Sequence, residues 1–148
     1  MAEADLDAVS AMEKASFRRP WSRKAFADEM IQEYSRNLVL KLENSSKTYQ
    51  IIGYLCYRVI SGEAHILKFA VHPEFRRKGR GFCFLRHCLS AMAADGIASV
   101  MLEVRESNAA AIGIYEKAGF AVEARLPAYY PDTREDVILM RKNFLKEE

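Results

Sequence analysis

A short basic segment punctuated by glycine is the clearest chemical feature of this sequence. It reads Arg-Arg-Lys-Gly-Arg-Gly from Arg76 to Gly81, after an apolar stretch and a turn at His72-Pro73. Apolar residues recur at three- and four-residue steps after Gly81, which predicts a helix beginning near that residue. The first N–H groups of a helix lack intrahelical partners and its dipole is positive there, so a phosphate fits. The segment predicts an anion site, although a solvated basic turn is an equally available interpretation of six such residues.

Two common glycine motifs do not account for this segment. A P-loop requires GxxxxGK followed by Ser or Thr, and a dinucleotide fingerprint requires a third glycine where this chain has Phe84. The pattern that remains is Arg76-x-x-Gly79-x-Gly81. Glycine at these positions lets the backbone approach a bound anion without a Cβ atom in the way.

Composition narrows the class of protein. A chain of 148 residues with a net charge of +2 suits one domain, residues 1–148, and carries too little charge to argue for direct nucleic-acid binding. Three cysteines without CxxC spacing (Cys56, Cys83 and Cys88) argue against a disulfide scaffold and predict a reducing, cytoplasmic setting. Dispersed histidines predict no metal site, and no apolar run reaches the length of a membrane span. We expect a monomer or a weak dimer.

The hydrophobic patterns predict a mixed α/β layer structure around the basic segment. The predicted helices are residues 6–17 with Asp5 as cap, 22–30, 82–95 and about 107–118. The predicted strands are residues 37–42, 49–59, 63–71, 100–105, 120–126 and 136–143. Short turns make the first three strands an antiparallel meander, and the helix that follows implies a parallel step.

The glycine pattern resembles the pyrophosphate-binding motif of the GCN5-related N-acetyltransferases. The run LEVRESNAAAIGIYEKAGF at residues 102–120, with YYP at 129–131 and REDV at 134–137, is similar to the RimI-type ribosomal-protein-alanine N-acetyltransferases. This resemblance covers residues 66–140, and Pro-Trp-Ser at 20–22 extends it more weakly. It implies a mostly antiparallel central sheet that is flanked by about four helices and has a parallel step at the basic segment. Family members have a strand before the first helix, and in this chain we expect that strand to be short or missing.

The resemblance implies acetyl-coenzyme A as co-substrate. Backbone N–H groups of residues 78–82 would hold its diphosphate, and the backbone at the end of the preceding strand would bind its pantetheine arm. The residues implied in binding are Phe69, Ala70, Val71, Arg76, Arg77, Lys78, Gly79, Arg80, Gly81, Phe82 and Asn108. On local reasoning alone, Asn108 is simply the cap of its helix.

Acetyl transfer needs a neutral amine and a proton for the departing thiolate. The resemblance implies Glu103 as general base, acting through a water, and Tyr115 as general acid. From the residues alone, Glu103 fits a cross-strand ion pair equally well. Tyr115 lies on one helical face with Asn108 and Ile112, which also suits a core aromatic residue.

The resemblance further implies an acceptor, the N-terminal alanine of a small-subunit ribosomal protein whose following residues are aromatic and basic. Trp21, Tyr129 and Tyr130 would line its groove, and three acids of the same loop (Asp132, Glu135 and Asp136) could attract the basic tail. The Tyr-Tyr-Pro sequence is equally a turn with solvated acids. The same chemistry on other amines, a coenzyme A binding module without turnover, and an RNA binder that uses the basic patch stay open as alternatives.

Overall fold

The computed structural model describes residues 1–144. A 3-10 turn at Glu3–Asp5 leads into the first helix, and a second lies at Pro73–Phe75. The helices are α1 (Leu6–Ser16), α2 (Arg23–Met30), α3 (Arg80–Ala94) and α4 (Ala109–Lys117). The strands are β1 (Ser35–Glu43), β2 (Tyr49–Ile60), β3 (Glu63–Val71), β4 (Ser99–Arg105), β5 (Ala121–Leu126) and β6 (Val137–Asn143). Each predicted element is present, with ends that differ from the prediction by at most two residues.

The six strands form one mixed sheet in the order β1-β2-β3-β4-β6-β5. Strands β3 and β4 pair in parallel, whereas β4 with β6, β5 with β6 and β1 with β2 are antiparallel. The predicted fold class is therefore confirmed: within residues 1–144 the structure has four α-helices and one parallel step, between β3 and β4. In chain order, the first strand of this sheet follows α2.

Helix α1 corrects one sequence prediction. Asp5 directly precedes the helix, but its side chain forms no cap hydrogen bond with it. The Asp5 carboxylate instead accepts the Ala2 N–H at 2.7 Å, because residues 3–5 already turn as a 3-10 helix and Asp5 lies at the end of that turn. The predicted side-chain cap of α1 is therefore wrong.

Helix α2 begins as the sequence predicts. The Ser22 hydroxyl accepts the Ala25 N–H at 3.1 Å, which satisfies one of the N–H groups left open at the start of a helix. The Trp21 and Phe26 rings lie 5.2 Å apart across this cap. Such a hydrophobic staple fixes the angle at which the chain enters the helix.

The chain divides into two compact units, residues 1–58 with 68–84, and residues 59–67 with 85 onwards. The expectation of a single domain stays a prediction. The core of the first unit consists of Leu6, Val9, Met12, Phe26, Tyr54, Cys56 and Ala70. Buried residues of the second unit include Ile66, Leu85, Leu89, Met92, Val100, Leu102, Val104 and Met140. Each fully buried apolar side chain of this size contributes about 1.5–3 kcal/mol to folding.

All three cysteines carry free thiols. Cys56 and Cys88 are buried, and that burial raises their pKa values to about 12 and about 11. Thiols held in the protonated form react slowly, so these two behave as small apolar core residues.

Candidate active site

The basic segment forms a tight loop that opens helix α3. Arg77 and Gly79 have positive φ angles of 64° and 76°. The Cys83 N–H donates to the Gly79 carbonyl at 3.0 Å, so the N–H groups of Arg80 and Gly81 precede the first helical hydrogen bond. The predicted helix start near Gly81 is confirmed, and the loop has the backbone geometry that an anion site requires.

The arginines of this loop have separate surroundings. The Arg76 Nε donates to the Val71 carbonyl at 2.8 Å and its Nη2 to the Ser16 hydroxyl at 2.9 Å, which fastens the loop to α1. The Arg80 guanidinium stacks 5.4 Å from the Phe75 ring, and its Nη1 is buried without a hydrogen-bond partner among the described residues. A buried guanidinium nitrogen without a partner is costly, and a phosphate oxygen is a suitable acceptor for it. The loop therefore offers a donor suited to an anion such as a phosphate, and its binding of a diphosphate stays a prediction.

The end of β3 leads into this loop with its side chains largely buried. Ala70 and Val71 are buried, and the Phe69 and Phe84 rings lie 6.3 Å apart. The Val71 carbonyl accepts from Arg76 and retains a second lone pair. The side chains of Ala70 and Val71 therefore belong to the core, and binding of a ligand by the backbone of this segment stays a prediction.

Glu103 lies on the exposed face of β4, while Val100, Leu102 and Val104 point into the core. It makes no hydrogen bond or ion pair within residues 1–144, so the cross-strand ion pair considered for it is not formed there. The pKa of Tyr130 is raised, mainly because the residue is buried, and the negative charge of Glu103 raises it further. The two side chains are therefore close enough to interact electrostatically. An exposed carboxylate without a partner can accept a proton through a bridging water.

Tyr115 is buried in helix α4, with 6% of its surface exposed. Its ring packs edge-on against Phe120, with centroids 5.6 Å apart, as the core-aromatic interpretation predicts. Burial raises the pKa of the hydroxyl, so it stays protonated near neutral pH. Packing and a role as proton donor are therefore compatible in this residue.

Asn108 caps helix α4. Its side-chain oxygen accepts the Ala111 N–H at 3.2 Å, and its own N–H donates to the Arg105 carbonyl at 3.0 Å. The capping interpretation is confirmed, whereas contact with the pantetheine arm stays a prediction.

The two adjacent tyrosines lie in the loop between β5 and β6. Tyr129 is about half exposed, and its ring lies 5.3 Å from that of Tyr130. Arg105 at the end of β4 stacks 3.9 Å from the Tyr130 ring centroid. The acids expected to attract a basic tail are engaged within the protein, Asp132 and Glu135 by Arg105 and Asp136 by Arg125.

Trp21 belongs to a cluster that the sequence did not predict. Its backbone N–H donates to Glu13 at 2.7 Å, and its ring faces the Lys68 ammonium at 5.4 Å. Lys68 pairs with Glu13 at 2.8 Å. A Glu on the apolar face of α1, in phase with Val9 and Met12, is the signal that could have indicated this buried partner.

Within the described part of the chain, no three His, Cys, Asp or Glu side chains are grouped so that they could hold a metal ion. Likewise, the described helices include none long and apolar enough to cross a membrane.

The chain belongs to the acetyltransferase (GNAT) family, whose sequence profile matches residues 6–120, and it is an N-acetyltransferase enzyme. The donor that this family uses is acetyl-coenzyme A.

The [ribosomal protein bS18]-alanine N-acetyltransferase of Escherichia coli K12 is 36% identical over 138 residues, 92% of this chain and 89% of that protein. A putative [ribosomal protein bS18]-alanine N-acetyltransferase of Bacillus subtilis 168 is 30% identical over 137 residues, 92% of this chain and 87% of that protein.

Solved structures show the same likeness. The crystal structure of the ribosomal-protein-S18-alanine N-acetyltransferase from Escherichia coli superposes with a TM-score of 0.84 at 33% identity, covering 100% of this chain and 93% of that one. Ard1 from Thermoplasma volcanium superposes with a TM-score of 0.82 at 28% identity, covering 99% and 95%.

Proposed function

We propose that this enzyme transfers the acetyl group of acetyl-coenzyme A to the α-amine of the N-terminal alanine of ribosomal protein bS18. The observation that carries the proposal is the 36% identity, over nearly the whole chain, with an enzyme of that name. A cytoplasmic location is part of the proposal, because the enzyme would encounter a ribosomal protein in the cytoplasm.

The choice of an α-amine also has a chemical reason. The reference pKa of a protein α-amine is near 8 and that of lysine near 10.4, so roughly a fifth of the former but only about one lysine in a thousand is neutral near pH 7.4. A modest base is then sufficient. Glu103, which is exposed and makes no hydrogen bond or ion pair within residues 1–144, suits that role.

The proposed mechanism is a direct transfer in which acetyl-coenzyme A supplies the acetyl group as a thioester. Glu103 removes one proton from the acceptor ammonium through a water, which leaves a neutral amine to attack. The C–N bond forms as the C–S bond breaks, and the Tyr115 hydroxyl donates a proton to the departing sulfur. The second proton that the nitrogen releases on becoming an amide passes to solvent water, and Tyr115 regains its proton from solvent. The loop at Gly79 and Gly81 binds the diphosphate with backbone N–H groups, assisted by Arg80. Phe69, Val71 and Asn108 orient the pantetheine arm.

The test uses two peptides that begin Ala-Arg-Tyr-Phe followed by arginines, one with a free and one with a blocked N-terminus. Each is incubated with the enzyme and acetyl-coenzyme A and analysed by mass spectrometry, with cofactor binding measured separately by calorimetry. The proposal predicts one added acetyl group on the free peptide alone. Acetylation of the blocked peptide would mean another amine is the acceptor. Cofactor binding without product on either peptide would favour another amine or a coenzyme A binding module.

A further inference from the structure

One arginine at the end of β4 holds the loop of residues 127–136 by several contacts at once. Arg105 donates from Nη1 and Nη2 to the two oxygens of Asp132, each at 3.0 Å, and from Nη1 to the Thr133 hydroxyl at 3.1 Å. Its Nη1 also lies 3.6 Å from Glu135, and its guanidinium covers the Tyr130 ring at 3.9 Å. A single side chain therefore contacts four residues of one loop.

The chemistry of these contacts is particular to arginine. A planar guanidinium can bind a carboxylate through two parallel hydrogen bonds and stack on an aromatic ring at the same time, whereas an ammonium cannot do both. The Arg105 side chain is 23% exposed and that of Asp132 is 19% exposed, so the pair is shielded more than an ordinary surface ion pair. These hydrogen bonds hold the pKa of Asp132 below its usual range.

The loop needs such a hold because its backbone is strained. Ala128 and Arg134 have positive φ angles of 51° and 59°, a region that residues with a Cβ atom rarely adopt. Such conformations persist only where the surroundings fix them. Inside the loop, two backbone hydrogen bonds join Tyr130 to Glu135 and Arg134 to Tyr130. The Ala128 N–H also donates to the Asp136 carboxylate at 3.1 Å, so the loop closes upon itself. Contacts from outside the loop include those of Arg105 at its centre and two at its end, where Arg125 pairs with Asp136 and the Glu106 N–H donates to the Asp136 carbonyl at 3.2 Å.

The position of Arg105 relates this loop to Glu103. Residues 103 and 105 are two apart on one strand and so project from the same face, roughly 7 Å apart. Tyr130, stacked on Arg105, lies within electrostatic range of Glu103. Arg105 thus holds an aromatic ring close to the carboxylate proposed as the base.

We propose that Arg105 is a positioning residue that fixes the conformation of residues 127–136. In that conformation Tyr130 forms one wall of the groove that binds the acceptor peptide, called the acceptor wall below. This inference rests on the function proposed above. Asp132 is held by two hydrogen bonds from Arg105, and Glu135 lies 3.6 Å from the same guanidinium, which offsets one of their two negative charges. Recognition by this loop depends on the shape and the aromatic face that Arg105 maintains.

The test is the Arg105→Lys variant of the full chain, with Arg141→Lys as matched control. Arg141 is also paired with two carboxylates and its side chain is 25% exposed. It lies opposite Met101, four residues and about 13 Å along the sheet from the Arg105 position. Hydrogen exchange of the loop amides and steady-state kinetics with the free peptide are measured on each variant.

We expect the exchange of residues 128–136 to accelerate about tenfold in Arg105→Lys and the KM for the peptide to rise about tenfold, because lysine loses both the second hydrogen bond and the stacking. The kcat and the affinity for acetyl-coenzyme A should stay within about twofold of the wild type, since Arg105 does not touch the reacting atoms. Arg141→Lys should change neither loop exchange nor KM.

Unchanged loop exchange in both Arg105→Lys and Arg105→Met would overturn the proposal. Faster exchange with an unchanged KM would show that Arg105 fixes the loop but would overturn the proposal that the loop forms the acceptor wall. A wild-type enzyme that fails to acetylate the peptide would refute the proposed function instead, and the exchange data would still decide whether Arg105 fixes the loop.

Discussion

The carboxylate of Glu13 lies 2.8 Å from the ammonium of Lys68, in a pair whose acid is wholly buried and whose base is 13% exposed. The same carboxylate accepts the Tyr54 hydroxyl at 2.5 Å and the Trp21 N–H at 2.7 Å. Lys68 also faces the Phe17 ring at 4.3 Å. Helix α1 is therefore joined to β2, to β3 and to the connection that carries Trp21 by one buried polar cluster.

Breaking this pair from one side should destabilise the protein strongly. Glu13→Leu leaves Lys68 as a buried cation without a counterion, and Lys68→Met leaves Glu13 as a buried anion, each at a cost of about 3–5 kcal/mol in the free energy of unfolding. The double variant should lose much less than the sum of the two, because no charge remains unpaired. Urea unfolding of the four proteins measures this coupling. Simply additive losses would show that the two groups do not depend on each other.

Gly79 should be required for its conformation rather than for space. A Cβ atom built there meets nothing within 4 Å, but the φ angle of 76° is unfavourable for alanine by about 1–2 kcal/mol. We expect Gly79→Ala to weaken acetyl-coenzyme A binding about tenfold in calorimetry, because the loop relaxes away from the geometry that binds the diphosphate. Gly113→Ala is the control, since Gly113 lies inside α4 with open space around it and should gain about 0.5–1 kcal/mol in stability. Equal affinity of the two variants for acetyl-coenzyme A would argue against a diphosphate site in the loop at Gly79.

Removing the Tyr115 hydroxyl should affect turnover more than binding. With Tyr115→Phe the ring still packs against Phe120, so we expect little change in acetyl-coenzyme A affinity but a fall in kcat of about a hundredfold or more. Tyr57→Phe removes the hydroxyl of another buried tyrosine and should leave kcat nearly unchanged. A normal kcat in Tyr115→Phe would leave this residue with a packing role alone.

Glu29 should make stability fall in acid. Two hydrogen bonds from Arg58, each 2.7 Å long, hold the pKa of this buried carboxylate below its usual range. Because its pKa is lower in the folded state, its contribution is complete above the unfolded value of about 4.3 and is lost as the pH falls through the folded value.

The Glu29→Gln variant should therefore lose less stability than the wild type between about pH 5 and pH 2. Chemical denaturation at each pH measures this. The control is Asp7→Asn, whose parent carboxylate pairs with Arg23 but is 87% exposed, and which should retain the wild-type slope. If Glu29→Gln also retained that slope, Glu29 would not be the carboxylate responsible.

Local sequence signals were sufficient for most of the fold. Apolar runs, hydrophobic periodicity and the turn residues between them located the strands and α-helices of residues 1–144, and capping residues such as Ser22 and Asn108 act as their types predict. The parallel step after β3 followed from the helix between two strands. The Asp5 cap was mistaken because a 3-10 turn precedes α1, and such short turns leave almost no periodic signal.

Local sequence patterns could not predict the side-chain contacts, because these contacts join residues that are distant in sequence. Arg76 was expected to add charge at the anion site, yet it binds Ser16, sixty residues earlier. Asp132 was expected to attract a ligand, yet it pairs with Arg105. A pattern indicates which face of an element a charge occupies, but its partner depends on which elements the fold makes neighbours. The roles of Glu103 and Tyr115 rest on family resemblance and stay predictions.

The choice between an α-amine and a lysine is tested by locating the acetyl group on a peptide that offers both kinds of amine. A peptide beginning with a free alanine and carrying one internal lysine is incubated with the enzyme and acetyl-coenzyme A, and the product is sequenced by tandem mass spectrometry. We expect acetyl on the alanine α-nitrogen and none on the lysine. Acetyl on the lysine ε-nitrogen would contradict the claim that this enzyme acts on a protein N-terminus.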